Sequence, residues 1–577
     1  MRTFLRLFAA GASGLALALC FEPFNQDWLV WGWMWILLPI FWTTQAKHPR
    51  LAGFGLGYLS GFVFWSINLK WFWTVTGVGA VSIAAYLAIY FGIFGVFAAR
   101  AGNPWLKEPS HGKGMNLRFH EMLRSLGYAT SLAGLWCGLE WIRGWMLTGF
   151  GWNGLGAAFS KSLMLAQNAE FVGVIGLSFL PVFFSVVAVQ VARRFYLQSS
   201  TGGVKLLHWD FASALLLIMS AFTLGTIRFT AALNAKKIEG RALLIQQDIP
   251  QFASRKSWEP NEVITGFMEL TEQGIAEAEA RAEESLKSVE PGEPVSIPMP
   301  DLVLWPEACL PLPFFVMKDG LRAGPQIESM INHVTSLGEF TLVSGVNELA
   351  GDFDADEVDA YNSLLIQGVN QDRQTFRKHH LVYFGEALPD FQFLRDLYKN
   401  ATGVEFGGGV TSGENLTPLT LDLDGQKIGV IPSVCFEDTV PRLEREFIRN
   451  EPQVIINVTN DGWFQESEGS AQHFQNALFR AIELRRPMLR CANRGMTCVV
   501  STTGSTVDPV TNEDRRLVDE NGSLFHRGFI LSSFYVPKDG FVTLYARFGD
   551  WFAVAGLIFA ILWAIGVRVA GLSRLKK

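Results

Sequence analysis

The sequence predicts a multi-span α-helical membrane domain joined to a soluble α/β domain of layered helices and strands. Three observations predict it. Two stretches too apolar for water, residues 4–229 and 551–570, flank a polar block of about three hundred residues. Inside that block, short β-rich apolar runs alternate with longer amphipathic stretches, the pattern of an α/β layer fold. One of those runs, Lys427–Val434, ends on Cys435, where a buried strand emerges at its sheet edge and open α/β sheets carry their reactive groups.

Composition narrows the class. The 577 residues are 49% hydrophobic and only 18% charged, and the mean hydropathy is +0.22, which excludes both a disordered chain and an ordinary soluble enzyme. A net charge of −6 without a long Lys/Arg run gives no electrostatic footprint for nucleic acid. The six cysteines (Cys20, Cys137, Cys309, Cys435, Cys491, Cys498) form no C-x-x-C pair and have no histidine at ligand spacing. Neither a metal site nor a disulfide framework is predicted, and no cofactor is called for.

Apolar stretches long enough to cross a bilayer lie at about 4–20, 28–44, 51–69, 75–99, 126–146, 172–192, 211–229 and 551–570, about eight spans. Basic residues fall on alternate connections: Arg2 and Arg6; Lys47 and Arg50; Arg100, Lys107, Lys113, Arg118 and Arg124; Arg193, Arg194 and Lys205; Arg568, Arg574, Lys576 and Lys577. The positive-inside rule then makes both termini cytoplasmic and puts the polar block on the outer face, the periplasmic side of the inner membrane in a bacterium. Leu17-Ala-Leu-Cys20 superficially has the look of a lipoprotein signal, but Leu19 is too large for the cleavage site and further spans follow at once, so an uncleaved first helix is expected. In the fifth span, Glu140 and Arg143 share a helical face; the plain reading is a pair that fixes packing, the functional one a lipid headgroup contact. Trp28, Trp31, Trp33, Trp35, Trp71, Trp73, Trp141, Trp145 and Trp152 cluster near span ends, as interfacial belts do.

In the polar block, strands are expected at Ala242–Gln246, Leu302–Trp305, Thr341–Val346, Leu364–Gly368, Gly429–Val434, Val454–Val458 and Cys498–Ser501. Helices are expected at Val263–Ala282, Gln326–Leu337 and Gln472–Glu483. The charge-rich stretch Glu277–Lys287 reads as a solvated helix and insertion. Several runs end in something reactive: Leu302–Trp305 leads to Pro306-Glu307, His380–Tyr383 lies between Lys378 and Glu386, Gly429–Val434 delivers Cys435, and Val454–Val458 delivers Asn460-Asp461-Gly462. Singly, each has a dull explanation as a helix-end charge, a surface lysine or a packed thiol. Together they supply a base, a cation and a nucleophile in one domain.

Trp305-Pro-Glu307, Arg377-Lys378 before Phe384-Gly-Glu386, and Cys435-Phe-Glu437 resemble the Glu-Lys-Cys constellation of the nitrilase (carbon-nitrogen hydrolase) superfamily. Glu140-Trp-Ile-Arg-Gly-Trp145, Thr148-Gly-Phe-Gly-Trp-Asn153, Gln246-Gln-Asp-Ile-Pro-Gln251 with Trp258, and Asn460-Asp-Gly-Trp-Phe464 through Gln472-His-Phe474 and Arg480-Ala-Ile-Glu483 are similar to apolipoprotein N-acyltransferases. That resemblance runs nearly the whole chain. It implies a nitrilase-like α-β-β-α sandwich and three segments: a membrane domain over 1–230 with about seven transmembrane helices, an extracytoplasmic catalytic domain over 231–545, and a C-terminal transmembrane helix with a basic cytoplasmic tail over 546–577.

The resemblance also implies a multi-pass protein of the bacterial inner membrane, acting as a monomer. It would move an acyl chain from a phospholipid donor to the α-amino group of a diacylglyceryl apolipoprotein acceptor. By motif, Cys435 would be the nucleophile, Glu307 the general base and Lys378 the cation near the oxyanion. Glu386 would support them, while Trp258, Phe436, Glu437 and Trp463 would shape the substrate pocket. One departure is visible: the family commonly has Cys-Tyr-Glu where this chain has Cys435-Phe436-Glu437, so a ring is kept and a hydroxyl lost.

These residue types suit that chemistry. A thiol with a pKa near 8.5 is only about a few per cent thiolate at neutral pH and needs a base and a nearby cation to attack. Attack on an ester carbonyl forms an oxyanion, which Lys378 and the Phe436 N–H would stabilise. The resulting thioester must be kept from water until an amine arrives, a task suited to a pocket opening at the bilayer edge. A membrane-tethered amidase or nitrilase would use the same three residues with water as the second acceptor. A non-catalytic transporter or lipid-binding scaffold would have no reason to keep all three.

Overall fold

The computed structural model describes residues 2–575 apart from 45, 107–114, 200–207, 251–257, 289–298, 319, 354–356, 369–371, 383–384, 389–391, 393–394, 397–398, 400–408 and 424. Lys107, Lys113, Lys205, Gln251, Tyr383, Phe384, Lys576 and Lys577, singled out above, lie outside the described residues. The chain divides into two compact units: Met1–Ala231 with Ser467–Phe479 and Thr543–Lys577, and Ala232–Glu466 with Arg480–Val542.

The first unit is helical, and a helix forms at every expected span. Gly77–Ala98, Phe179–Ser199, Trp209–Asn234 and Trp551–Ala570 are long and apolar enough to cross a membrane, and Thr3–Ala18 and Asp27–Trp42 are shorter apolar helices. Pro49–Asn68 and Met115–Arg143 are the remaining long ones. Two places depart from a single continuous helix. Residues 28–44 form a 3-10 turn, Asp27–Trp31, and then Met34–Trp42; the region of 172–192 is shared between Ala169–Leu177 and Phe179–Ser199. Small residues set the packing. A Cβ on Gly95 would lie 2.1 Å from the Gly53 carbonyl oxygen, so the helices Pro49–Asn68 and Gly77–Ala98 approach backbone to backbone.

Glu140 and Arg143 do their work on one loop. The Glu140 carboxylate accepts from Trp136 Nε1 at 2.9 Å, Ser178 Oγ at 2.6 Å and the Leu155 N–H at 2.7 Å. Arg143 Nη1 donates to the carbonyls of Phe150 and Trp152, with the guanidinium over the Trp65 ring. The packing reading holds, with the loop 150–155 as what is fastened. That loop meets the helix Gly469–Ala477, which belongs to this unit although its sequence neighbours lie in the other. Gln472 Oε1 accepts from the indole N–H groups of Trp71 and Trp152, and Asn476 pairs with both the backbone and the side chain of Asn153.

The second unit has two sheets. β1 (Lys237–Gln246), β2 (Leu302–Trp305), β3 (Phe314–Met317), β4 (Gly320–Ala323), β5 (Thr341–Asp352), β6 (Glu357–Gln367) and β7 (Gln374–Arg377) build the first. β8 (Leu419–Leu423), β9 (Gln426–Val434), β10 (Gln453–Thr459), β11 (Met488–Ala492) and β12 (Cys498–Val500) build the second. The last strand, β13 (Gly528–Pro537), returns to the edge of the first sheet beside β1. β1, β2 and β5 run parallel, as do β9, β10 and β11.

Both faces of each sheet are covered, which is why β2, β10 and β11 are apolar or buried at every position. On one face of the first sheet, Leu243, Ile245, Val303, Trp305 and Leu342 pack with Phe267 and Leu270 of the helix Pro260–Ser288 and with Ile327, Met330 and Ile331 of the helix Pro325–Thr335. On the other, Cys491 of β11 reaches the carbonyls of Ile245 and Leu304. The unit is the expected α-β-β-α sandwich.

Every expected strand is present. β3, β4, β7, β8, β11 and β13 were not expected: the first five are only four or five residues long, β11 also carries Arg490 in its middle, and most of β13 is half-buried. The described part of His380–Tyr383 is loop rather than strand.

Candidate active site

Three parallel-sheet strand ends and one hairpin deliver the site. Glu307 follows β2, Cys435 follows β9, the Asp461–Phe464 turn follows β10, and Lys378 follows β7 beside Asn362 of β6. Two of these ends are strained. Cys435 holds a φ of +56° and Ala308, next to Glu307, one of +45°, both in the left-handed region that side chains disfavour. Neighbours hold both turns. Asn457 Nδ2 donates to the Cys435 carbonyl at 3.2 Å, and Gly345 of β5 passes so close to the Glu307 turn that a Cβ there would lie 2.4 Å from Glu307 Cα.

Lys378 is wholly buried, with its ammonium 2.7 Å from Glu386 Oε1 and 3.6 Å from Glu307 Oε1. Asn362 Nδ2 donates to the same two oxygens, at 2.7 Å to Glu307 and 3.3 Å to Glu386. The second oxygen of Glu386 accepts the Val382 N–H at 2.8 Å. Cys435, partly exposed, feels the charges of Glu307, Lys378 and Glu386. The other five cysteines are buried.

Electrostatics follow from burial and from two carboxylates against one cation. Burial raises Glu307 above the ordinary carboxylate range; Lys378 opposes that and Glu386 adds to it. Burial also raises the Cys435 thiol, reinforced by Glu307 and countered by Lys378. Burial works against a charged Lys378, but Cys435, Glu307 and Glu386 outweigh it and hold the ammonium protonated. The resting site is therefore a thiol beside a carboxylate–ammonium cluster. Moving the thiol proton to Glu307 leaves the net charge of the cluster unchanged, whereas losing it to solvent would make the cluster one unit more negative beside buried carboxylates.

The other expected residues divide. Phe436 stacks on His380 at 6.2 Å between ring centres. Trp258 and Trp463 are exposed, at 41% and 54%. Glu437 is wholly buried, and its carboxylate accepts the backbone N–H groups of Val434, His379 and His380, each at 2.8 Å. It thereby joins the turn carrying Cys435 to the residues beside Lys378. Burial pushes its carboxyl up to about 7 against those donors. His380 is driven the other way, down to about 4, by burial and by the charges of Arg442 and Lys378.

Known proteins cover both units. Residues 13–187 match the family described as apolipoprotein N-acyltransferase N-terminal domain, and residues 251–518 match carbon-nitrogen hydrolase. Apolipoprotein N-acyltransferases from Shewanella oneidensis and Photobacterium profundum are 26% and 25% identical to this chain, over 87% of it and 86% of the first, and over 97% of it and 94% of the second. The Brucella melitensis protein of that name is 28% identical over 86% of each chain.

The chain is similar to apolipoprotein N-acyltransferases along most of its length.

A mutant of the amidase from Nesterenkonia sp. AN1 in complex with butyramide is similar over 53% of this chain and 93% of its own, at 13% identity and a TM-score of 0.30. For an N-acyltransferase relative, the site holds three groups that sequence reasoning did not single out. Asn362 sits inside a strand whose neighbours, Tyr361 and Ser363, make it look like one more polar strand residue. Gly345 is one glycine among 56. Arg490 is wholly buried on β11, where it bonds Asp438 at 3.2 Å in the Cys435 turn and Asp461 at 3.4 Å in the Trp463 turn. Only the spacing of Asp438 and Asp461 just past their strand ends hinted that a buried cation would be needed to compensate them.

Proposed function

We propose that this membrane protein transfers an acyl chain from a phospholipid, through a thioester on Cys435, to the N-terminal amine of a diacylglyceryl apolipoprotein. The observation that carries this reading is the meeting of Glu307, Lys378 and Cys435 at three strand ends that are far apart in sequence. The Cys435 thiol gives its proton to Glu307 as the sulfur attacks the ester carbonyl of the lipid. Lys378 and the Phe436 N–H stabilise the oxyanion, donors of a kind worth about 3–4 kcal/mol each. Collapse expels the lysophospholipid alkoxide, which takes the proton back from Glu307. The acceptor amine then attacks the thioester, Glu307 receives its proton, and Cys435 leaves as thiolate and takes that proton from Glu307, which restores the resting thiol and carboxylate.

In this reading Glu386 keeps Lys378 in place, Glu437 aligns the two loops, and Trp258, Phe436 and Trp463 wall the acyl and peptide path. The protein works as a monomer in the bacterial inner membrane, with residues 231–545 on the periplasmic face. Charged residues on alternate connections support that orientation.

The test is single turnover with a labelled phospholipid in mixed micelles. Wild type should acquire the label and pass it to a diacylglyceryl peptide. Cys435→Ala and Cys435→Ser should stay folded and acquire none, and Glu307→Gln should bind lipid but acylate at least about 100-fold more slowly, the scale of a lost general base. Label retained by Cys435→Ala, or normal acylation by Glu307→Gln, would remove the roles assigned here. Amide hydrolysis in the absence of lipid would instead favour a membrane-tethered amidase.

A further inference from the structure

Four carboxylate oxygens face one ammonium in this site, and three of them are taken. Glu307 Oε1 receives Asn362 Nδ2 at 2.7 Å and lies 3.6 Å from Lys378 Nζ. Glu386 Oε1 receives Lys378 Nζ at 2.7 Å and Asn362 Nδ2 at 3.3 Å. Glu386 Oε2 receives the Val382 N–H. The fourth, Glu307 Oε2, is buried and accepts no hydrogen bond among the described residues. Asn362 is itself 93% buried by exposure, and its backbone carbonyl accepts the Lys378 N–H at 2.8 Å, so the amide is seated by the same ladder that seats the lysine. Its orientation is forced: turned over, the amide would set an oxygen against two carboxylates.

We propose that Asn362 is a positioning residue that decides which carboxylate oxygen takes the thiol proton. By placing its two N–H groups on Oε1 of both Glu307 and Glu386, it leaves Glu307 Oε2 as the acceptor and confines Glu386 to holding Lys378. This rests on the reading of Glu307 as the base for Cys435. It adds the atom that receives the proton and the neutral group that selects it. A neutral two-armed donor suits the place: a second cation would lower the basicity of Glu307 too far, and no donor at all would let the two carboxylates share a proton and idle the base.

The sign of the effect follows. Asn362 donates to the ionised form of Glu307 and favours it. Removing that donor leaves Glu307 and Glu386 to repel across one lysine, so Glu307 holds its proton to higher pH and proton abstraction fails first on the acid side.

The experiment measures alkylation of Cys435 by iodoacetamide in the full-length protein in detergent, read as the mass of the Cys435 peptide, from about pH 5 to about pH 9. In this step the C–S bond forms, iodide leaves, and the thiol proton goes to Glu307. Wild type should show an acid limb that Glu307→Gln lacks. In Asn362→Leu that limb should move up by about one pH unit, about ten-fold slower at the acid end and within about three-fold of wild type at the alkaline end. Asn362→Asp, which keeps the shape and decides the matter if the leucine variant fails to fold, should move it at least as far. An equal loss at every pH would mark a merely structural residue and overturn the proposal, as would an unchanged profile. Because alkylation needs no lipid, a normal wild-type limb without acyl uptake from phospholipid would sink the acyltransfer reading and leave this one standing.

Discussion

The nucleophile Cys435 and Ala308, the residue after the base, each hold a left-handed backbone conformation that costs of order 1–3 kcal/mol and persists only if neighbours enforce it. For Cys435 the enforcers are Asn457 and Glu437; for Glu307 the chief one is Gly345, whose missing side chain lets β5 touch the turn. Gly345→Ala should therefore displace Glu307 rather than merely crowd a core. The expected outcome is a destabilisation of about 1–3 kcal/mol by thermal unfolding together with acylation as slow as Glu307→Gln. A second prediction concerns His380, held neutral with its pKa pushed down to about 4 from an ordinary 6.5. Between those values the unfolded chain binds a proton that the folded chain refuses, so stability is present above pH 6.5 and is lost as pH falls toward 4, by about 3 kcal/mol in full. His380→Gln should flatten the fall of unfolding temperature over that window; an unchanged slope would assign it to other groups. Glu307, Lys378 and Cys435 were legible because each follows an apolar run or sits in a recognisable motif. Asn362 was not, since a polar residue within a strand looks the same whether it faces water or a second carboxylate.

At the scale of elements, the parallel strands β2, β9 and β10 end side by side with their partners, which is how residues more than a hundred positions apart come to face one thiol. β11 contributes no residue to the chemistry, yet its Arg490 joins the turn after β9 to the turn after β10. Truncating one partner of a buried charge cluster leaves the others uncompensated, typically at about 3–5 kcal/mol. Arg490→Met should accordingly lower the unfolding temperature sharply, whereas Asp438→Asn and Asp461→Asn, each sparing one arm, should cost less and slow acylation more than they destabilise. Equal stability of Arg490→Met and wild type would contradict the bridging role. The helix Gly469–Ala477 makes a parallel case in the helical unit. Its Gln472 satisfies two indole N–H groups, so Gln472→Ala should cost about 1–3 kcal/mol in that unit, measured by thermal unfolding in detergent. Long amphipathic helices and the central strands were readable from periodicity. Short edge strands were not, because four residues carry too little pattern. The helix expected at Gln472–Glu483 formed, but as the two helices Gly469–Ala477 and Phe479–Leu484, and the burial of Gln472, His473 and Asn476 was unreadable because it depends on a surface presented hundreds of residues earlier.

For the whole molecule, the acidic net charge gave no footprint for a nucleic-acid partner, and the apolar flanks around a motif-bearing block pointed to a membrane-held enzyme. The family resemblance fixed which of the thiol chemistries to expect. What the apolar count left open was how each stretch folds: one expected span is a 3-10 turn and a short helix, another is divided in two, because window hydropathy averages over the prolines and glycines that break a helix. The central claim is that a fatty chain rests on sulfur between donor and acceptor. Its most direct measurement is mass spectrometry of the wild-type protein after mixing with phospholipid and without an acceptor peptide. The expected result is one acyl mass on the peptide containing Cys435, removable by hydroxylamine and lost on adding a diacylglyceryl peptide. An acyl mass on any other residue, or turnover with Cys435 never modified, would contradict it.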